Sequence, residues 1–283
     1  MKNKIEKINN KLSNLFEVEK KPHKILYEAI NYSISSKAKR LRPLLTLLIC
    51  EAYNVNLDSS IDASIAIELI HTYSLIHDDL PCMDDDDLRR GKPSLHKKYN
   101  EWLAILTGDS ILTYAFELIC NIKNLSHEKK IKLISSLSKY AGKDHLIAGQ
   151  VIDLMSENSN INFETLKFMH VNKTASLFIC AAEFGAILCD ATKSDFENLK
   201  LFAYNLGLAF QIRDDILDEN STTKDLGKKI KSDIKKNKST ALTILGLEKA
   251  KNLEKELYDL AYNHLSKLSI NTQSLNDFIK ILK

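Results

Sequence analysis

No proline occurs between Ser94 and Lys283; all four (Pro22, Pro43, Pro81 and Pro93) lie in the first third of the chain, and only 8 of the 283 residues are glycine. A sheet protein of this length needs many turns, and turns draw heavily on Gly and Pro. Their scarcity predicts long helices joined by few loops. The length allows one large or two small domains with a sizeable core. Apolar residues at 44% and charged residues at 27% are ordinary for a soluble globular protein. The expected fold is all-α: a single domain, 1–283, of roughly ten or more helices around a central apolar cavity.

Several stretches are apolar at helical spacing. Ile61, Ile65, Leu69, Tyr73 and Ile76 recur at steps of three and four, a buried helix face. "WLAILTGDSILTYAFELICNI", "TASLFICAAEFGAILC" and "LKLFAYNLGLAFQIRDDILD" are apolar nearly all round, which predicts helices in the middle of a bundle. Leu247 to Leu282 is amphipathic and lysine-rich, and therefore peripheral. The net charge of +3 makes no case for nucleic acid. "LLTLLIC" is too short to span a bilayer, so stable membrane insertion is not expected. The first residues are basic without an apolar core, which argues against secretion. Five cysteines without a CxxC pair read as reduced and mostly buried in a cytoplasmic protein, with an organellar location kept open.

The chemistry is concentrated in "LIHDDLPCMDDDDLRRGKP", residues 75–93. Six aspartates between Asp78 and Asp87 repel one another unless a positive group sits among them, and Arg89 and Arg90 call for an anion of their own. A metal cation carrying a phosphate ligand satisfies both. A second cluster, Asp214, Asp215 and Asp218, closes the last apolar pattern. Asp214 and Asp218 share a helix face, while Asp215 is turned aside by about 100° and reaches a metal through water. Asp78 and Asp84 are six apart, which no regular helix face accommodates. Pro81 between them disrupts the helix, and a bulge there would return Asp84 to Asp78. Mg²⁺ suits such carboxylates, being hard, oxygen-seeking and often completed by substrate phosphates.

Either acidic run alone is as often a solvated loop. A His-Asp pair, His77-Asp78, also occurs in helical metal phosphohydrolases, but no recurrent His-Asp motif accompanies it. A di-iron bundle would need two Glu-x-x-His motifs, and only Glu68-Leu69-Ile70-His71 occurs. Cations gather at Lys37, Lys39, Arg40 and Arg42, at Lys173 beside Thr174, and in seven lysines from Lys224 to Lys238. Most of the last group reads as a solvated face. Arginine forks and lysine points are nonetheless the usual phosphate grips, and two separate basic groups suggest two phosphate-bearing substrates.

These motifs resemble the short-chain trans-prenyl diphosphate synthases, most of all bacterial farnesyl diphosphate synthases. Asp78 to Asp84 matches the bacterial first motif DDxxxxD, and Asp214 to Asp218 matches DDxxD; "LRRGKP", "GQVIDL" and "KSTALTILGLE" extend the similarity from about Lys39 to Lys249. The resemblance implies an isoprenoid-synthase type of fold. It implies that Asp78, Asp84 and Asp214 bind Mg²⁺, about three ions per site, with Asp79, Asp215 and Asp218 completing the shells. Arg89, Lys173, Lys228 and Lys238 would grip an allylic diphosphate. Lys39, Arg42, His71 and Arg90 would hold isopentenyl diphosphate. Thr174 and Gln211 would offer oxygen dipoles to a carbocation. Ala38, Ala148 and Asn237 stand where the family tends to have glycine, and none of these departures removes a charged group.

The implied reaction is ionisation of the allylic diphosphate, attack by the isopentenyl double bond, and loss of a proton to the departed diphosphate. Tyr73, flanking Ser74 one turn before Asp78, would form the floor that stops growth at farnesyl diphosphate; "DDLPCMD" also resembles plant-type geranylgeranyl synthases. A homodimer is expected from the family. A non-catalytic subunit of a synthase heteromer would have lost aspartates, and a terpene cyclase would not need Lys39 and Arg42.

Overall fold

The computed structural model describes residues 1–18, 21–36, 38–221 and 239–283; the side chains of residues 57–59 and 218–221 also lie outside the description. The chain divides into two compact units, Met1–Ile134 and Ser135–Lys283. Both are helical, as the shortage of turn residues requires.

The first unit contains α1 (Lys2–Ser13), α2 (Lys24–Ile34), α3 (Leu41–Ala52) and α4 (Leu57–Asp78), then a two-stranded hairpin of β1 (Leu88–Arg89) and β2 (Lys92–Pro93), then α5 (Leu95–Lys98) and α6 (Glu101–Cys120). Pro43 sits in the first turn of α3, where a missing N–H breaks no intrahelical bond. α4 packs against α3 and α6. Its residues 63–70 are buried on every side, more than the single face that the spacing of Ile61, Ile65 and Leu69 implied.

α6 corrects an expectation. It buries Leu103, Ala104, Thr107, Gly108, Ile111 and Ala115, but Trp102 is 56% exposed, Ile105 43% and Leu106 51%. Rather than standing in the middle of a bundle, this helix turns an apolar face outward. The hairpin was not foreseen either. Arg90 (φ 53°) and Gly91 (φ 78°) supply the left-handed pair that a two-residue type I′ connection needs, and they register Leu88 with Pro93 and Arg89 with Lys92.

α7 (His127–Ala141) begins in the first unit and ends in the second. The second unit continues with α8 (Leu146–Met155), α9 (Phe163–His170), a π-helical turn (Val171–Ala175), α10 (Ser176–Leu188), α11 (Lys193–Ser221), α12 (Ala241–Leu245), α13 (Leu247–Ser266) and α14 (Gln273–Leu282). Every residue of α10 from Ser176 to Ala186 is buried, as its all-round apolar pattern demands. α11 packs against both α10 and α13. The second acidic cluster lies within the closing turns of α11, which runs on to Ser221, and so does not end the helix.

By length and composition, α6 and the span Phe163–Leu188 would suffice to cross a membrane, yet 78% of the apolar 18-residue stretch within the latter is buried inside the protein. The cysteines differ from expectation. Cys50 and Cys180 are buried and Cys189 half-buried, but Cys82 and Cys120 are exposed; all five are free thiols.

Gly149 sets the spacing between α8 and the π-turn. A Cβ built there would lie 2.2 Å from the Lys173 backbone nitrogen and 2.6 Å from its Cα. Ala ordinarily gains about 1 kcal/mol over Gly inside a helix. Here backbone rather than a flexible side chain would have to yield, at a typical cost of about 1–3 kcal/mol. Gly149→Ala should therefore lower the urea midpoint; an unchanged or raised midpoint would show that α8 is free to move away from the turn.

Candidate active site

In the first unit, α4 ends at Asp78, and the chain folds back over Pro81. The Asp84 N–H donates to the Asp78 carbonyl at 2.9 Å, and the Asp85 N–H to the Leu80 carbonyl at 3.1 Å. Asp85 takes a left-handed conformation (φ 50°) to close the turn. The bulge expected from Pro81 is thus present, and it returns half-buried Asp84 to half-buried Asp78.

Asp79 behaves differently. It is 3% exposed and accepts from Arg89 Nε at 2.8 Å and again from Arg89 Nη2, which also reaches Asp86 Oδ2 at 3.1 Å. Burial pushes the Asp79 carboxyl above the usual range, and Arg89 opposes that shift. The hairpin explains the pairing: its register turns Arg89 towards Asp79, while the tip residue Arg90 donates to Ser36 Oγ at 2.9 Å.

His71 lies seven residues before Asp78, two turns along one face of α4. Ser74, between them, donates to the His71 carbonyl at 3.0 Å. Burial, reinforced by Arg42, Arg90, Arg40 and Arg89, drives the His71 imidazole well below its ordinary range, so it is uncharged at neutral pH. Arg42 is itself pushed down to about 10, chiefly by burial, with Glu68 opposing. A neutral imidazole among four guanidinium groups is an environment that favours an anion. Lys39 is exposed. Tyr73 is 7% exposed and meets the His77 ring edge-on at 5.8 Å.

Arg40 has another task. It is 3% exposed, left-handed (φ 50°), paired with buried Glu68 at 2.7 Å, and bonded to Asn9 Oδ1 and to the Ile34 and Ser36 carbonyls. These bonds hold a conformation that a non-glycine residue otherwise avoids.

In the second unit, the π-turn carries Lys173 and Thr174. Single π-turns inside helices are frequent at functional sites because they re-aim side chains. Lys173 Nζ meets Asp153 Oδ2 at 2.7 Å. Asp153 lies four residues beyond Gly149 on α8, so the close approach at Gly149 delivers the carboxylate to the lysine. Thr174 Oγ1 donates to Gln211 Oε1 at 2.8 Å, and Gln211 Nε2 to Asp215 Oδ1 at 3.3 Å. Asp215 is 8% exposed and also accepts from the Ala241 N–H at 2.8 Å. Asp214 is half-buried. The side chain of Asp218, and Lys228 and Lys238 altogether, lie outside the described residues.

The structure therefore assembles Asp78 with Asp84, and Arg42, His71 and Arg90 with one another. It pairs Lys173 with Asp153, and separately links Thr174, Gln211 and Asp215 in a chain that ends on the Ala241 N–H. Among the described residues no group of three or more His, Cys, Asp or Glu side chains gathers around one point. Mg²⁺ asks for less than that, often one or two carboxylates with waters and substrate phosphates. Asp78 and Asp84, fastened by their backbone bond, meet that requirement. The reading of motifs passed over Asp153 and Ser36; a helical step of four from Gly149 could have signalled the first, and nothing local marks the second.

A model of the family described as Polyprenyl synthetase matches residues 23–277. The chain belongs to the polyprenyl synthetase family. It is 45% identical over 229 residues to a farnesyl diphosphate synthase of Bacillus subtilis, covering 80% of this chain and 77% of that protein. It is also 45% identical over 242 residues to a chloroplastic geranylgeranyl pyrophosphate synthase of Capsicum annuum, covering 85% of this chain and 65% of that longer protein. Among solved structures, an FPP/GFPP synthase of Zymomonas mobilis aligns with a TM-score of 0.87 at 36% identity, over 100% of this chain and 97% of the other. A geranyltransferase of Helicobacter pylori complexed with magnesium and isoprenyl diphosphate aligns at 0.86 and 34% identity, over 99% and 94%. The all-α fold is that of these family members.

Arg40 and Lys39, adjacent in sequence, separate structure from surface. Arg40→Ala strands the Glu68 carboxylate in the core and should cost about 3–5 kcal/mol in urea unfolding. Lys39→Ala should stay within about 0.5 kcal/mol. Equal losses would refute the division.

Proposed function

We propose that the protein is a Mg²⁺-dependent trans-prenyltransferase that condenses isopentenyl diphosphate with dimethylallyl and geranyl diphosphates, farnesyl diphosphate being the main product. The observation that carries this reading is the fold-back over Pro81, where the Asp84 N–H donates to the Asp78 carbonyl at 2.9 Å and sets two carboxylates together, two turns along α4 from His71. An anion-binding group and an acidic metal-binding group on one face suit two diphosphates, one of which is bridged by cations.

In this reading Lys39, Arg42, His71 and Arg90 hold the isopentenyl diphosphate. Arg89, Lys173, Lys228 and Lys238 grip the allylic one, and Asp78, Asp84 and Asp214 take the Mg²⁺ ions, about three in number. When bound, these ions supply Lewis-acid charge that makes the allylic diphosphate a better leaving group. Lys173, oriented by Asp153, receives the departing diphosphate. Thr174 and Gln211 direct their oxygen dipoles at the cation. The apolar helices exclude water that would quench it. Asp79, Asp215 and Asp218 support the shells, the first two through Arg89 and Ala241. Residues 1–283 act as a single polyprenyl synthase domain, a view supported by one family match running from 23 to 277.

We further propose a homodimer. Trp102, Ile105 and Leu106 on α6 are exposed apolar side chains at helical spacing, which a second copy would cover. Five free cysteines suit a cytoplasmic setting; the chloroplastic relatives make an organelle the alternative. The geranylgeranyl synthases among the relatives make geranylgeranyl diphosphate the second product to consider.

Incubation with isopentenyl and dimethylallyl diphosphates plus Mg²⁺, followed by chromatography of the products, should yield farnesyl diphosphate, and EDTA should abolish it. Absence of any prenyl diphosphate would overturn the assignment. Tyr73→Ala, which removes a buried ring beside His77, should shift products to longer chains; unchanged lengths would exclude Tyr73 as the floor.

A further inference from the structure

His170 is the last residue of α9 and directly precedes the π-turn that carries Lys173 and Thr174. It is 4% exposed. Its Nε2 lies 3.6 Å from Asp215 Oδ2, and its Nδ1 is buried without a hydrogen-bond partner among the described residues. Asp153 and Lys173 are close enough to bias its charge. Two polar chains therefore meet at this ring. One is Asp153 with Lys173; the other runs from Thr174 through Gln211 and Asp215 to the Ala241 N–H. Asp153 and Asp215 are both buried carboxylates, and like charges in low dielectric repel unless something separates or neutralises them.

A purely apolar ring could fill the volume. It could not place a ring nitrogen 3.6 Å from the Asp215 carboxylate, which also accepts from Gln211 and from the Ala241 N–H. An imidazole left with an unpaired buried nitrogen carries a cost of about 1–3 kcal/mol. A position selected for packing alone would avoid that cost.

We propose that His170 is a positioning residue for the prenyl transfer: directly before the π-turn and 3.6 Å from the Asp215 carboxylate, it sets the aim of the Lys173–Thr174 turn and of the adjoining acidic motif, Asp214 and Asp215. It touches no substrate, and its effect passes through Asp215. This inference rests on the prenyltransferase reading and adds to it a residue outside both aspartate motifs and both basic groups.

The test compares His170→Gln, which can still direct an N–H towards Asp215, with His170→Phe, which keeps a ring of similar size and no polar atom. Each full-length variant is assayed with isopentenyl and geranyl diphosphates and Mg²⁺, alongside a thermal melt. His170→Phe should lower kcat roughly 10- to 100-fold, the range seen when an outer-shell partner of a ligand is lost. The KM for isopentenyl diphosphate, which is held by the first unit's arginines, should stay within about twofold, and His170→Gln should recover most of kcat. In a background of Asp215→Asn, adding His170→Phe should cost little more, because residues acting as one unit are not additive. A folded His170→Phe with unchanged kcat would overturn the proposal. So would a kcat loss that His170→Gln fails to recover, or one that is fully additive with Asp215→Asn. If His170→Phe does not fold, His170→Gln and His170→Asn carry the comparison, and equal kcat in the two at equal stability overturns it. An inactive wild-type protein would instead refute the prenyltransferase reading itself, so the two failures are told apart.

Discussion

The turn from Val171 to Ala175, wound wider than an α-helix, is the constraint on which the second unit depends. One helical path from Phe163 to Leu188 serves two purposes that a regular helix would set against each other. Its C-terminal half, α10, is buried all round, while its middle must present Lys173 and Thr174 to polar partners. The π-turn changes the angular phase between those parts. α8 then comes close enough, through Gly149, for Asp153 to reach Lys173, and α11 supplies Gln211 to Thr174. Each contact uses a polar group that would be costly to bury alone.

The first unit solves the same problem with a charge ladder. Glu68 answers Arg40 in the core, Asp79 answers Arg89 at the rim, and both arginines join Arg42 and Arg90, together with burial, in disfavouring charge on His71. Buried ion pairs add little net stability in general, yet breaking one is expensive. The ladder therefore fixes geometry more than it contributes stability: it holds the Arg40 and Arg89 guanidinium groups in place, while Arg90 turns to Ser36 and Lys39 stays exposed. The hairpin tip at Arg90 and Gly91 directs neighbouring arginines to these different partners, Asp79 and Ser36.

Much of this was legible in advance, and for identifiable reasons. Glycine and proline scarcity implied helices, because turns have few other means of reversing a chain. The six-residue gap between Asp78 and Asp84 around Pro81 implied a bulge, since no helix face joins those positions, and the 2.9 Å backbone bond is that bulge. α6 was misjudged because an apolar composition states only that a helix avoids water; it does not say whether its own chain or another molecule covers Trp102, Ile105 and Leu106. Asp79 and Asp215 were set apart from Asp78, Asp84 and Asp214 by the family resemblance, but their burial and their engagement by Arg89 and by the Ala241 N–H left no mark in the sequence.

By itself the sequence determined the helical class, the two acidic motifs with their cations, and the membership of a family built on them, because periodicity, breaker residues and fixed spacings are local properties. Only the tertiary structure decided which charges serve one another. Arg40 and Glu68 are 28 residues apart, Lys173 and Asp153 20, and Asp215 and Ala241 26. Whether a carboxylate is buried against a donor or left for a ligand depends on helices that approach only after the chain has folded, and spacing along the chain carries no record of that distance.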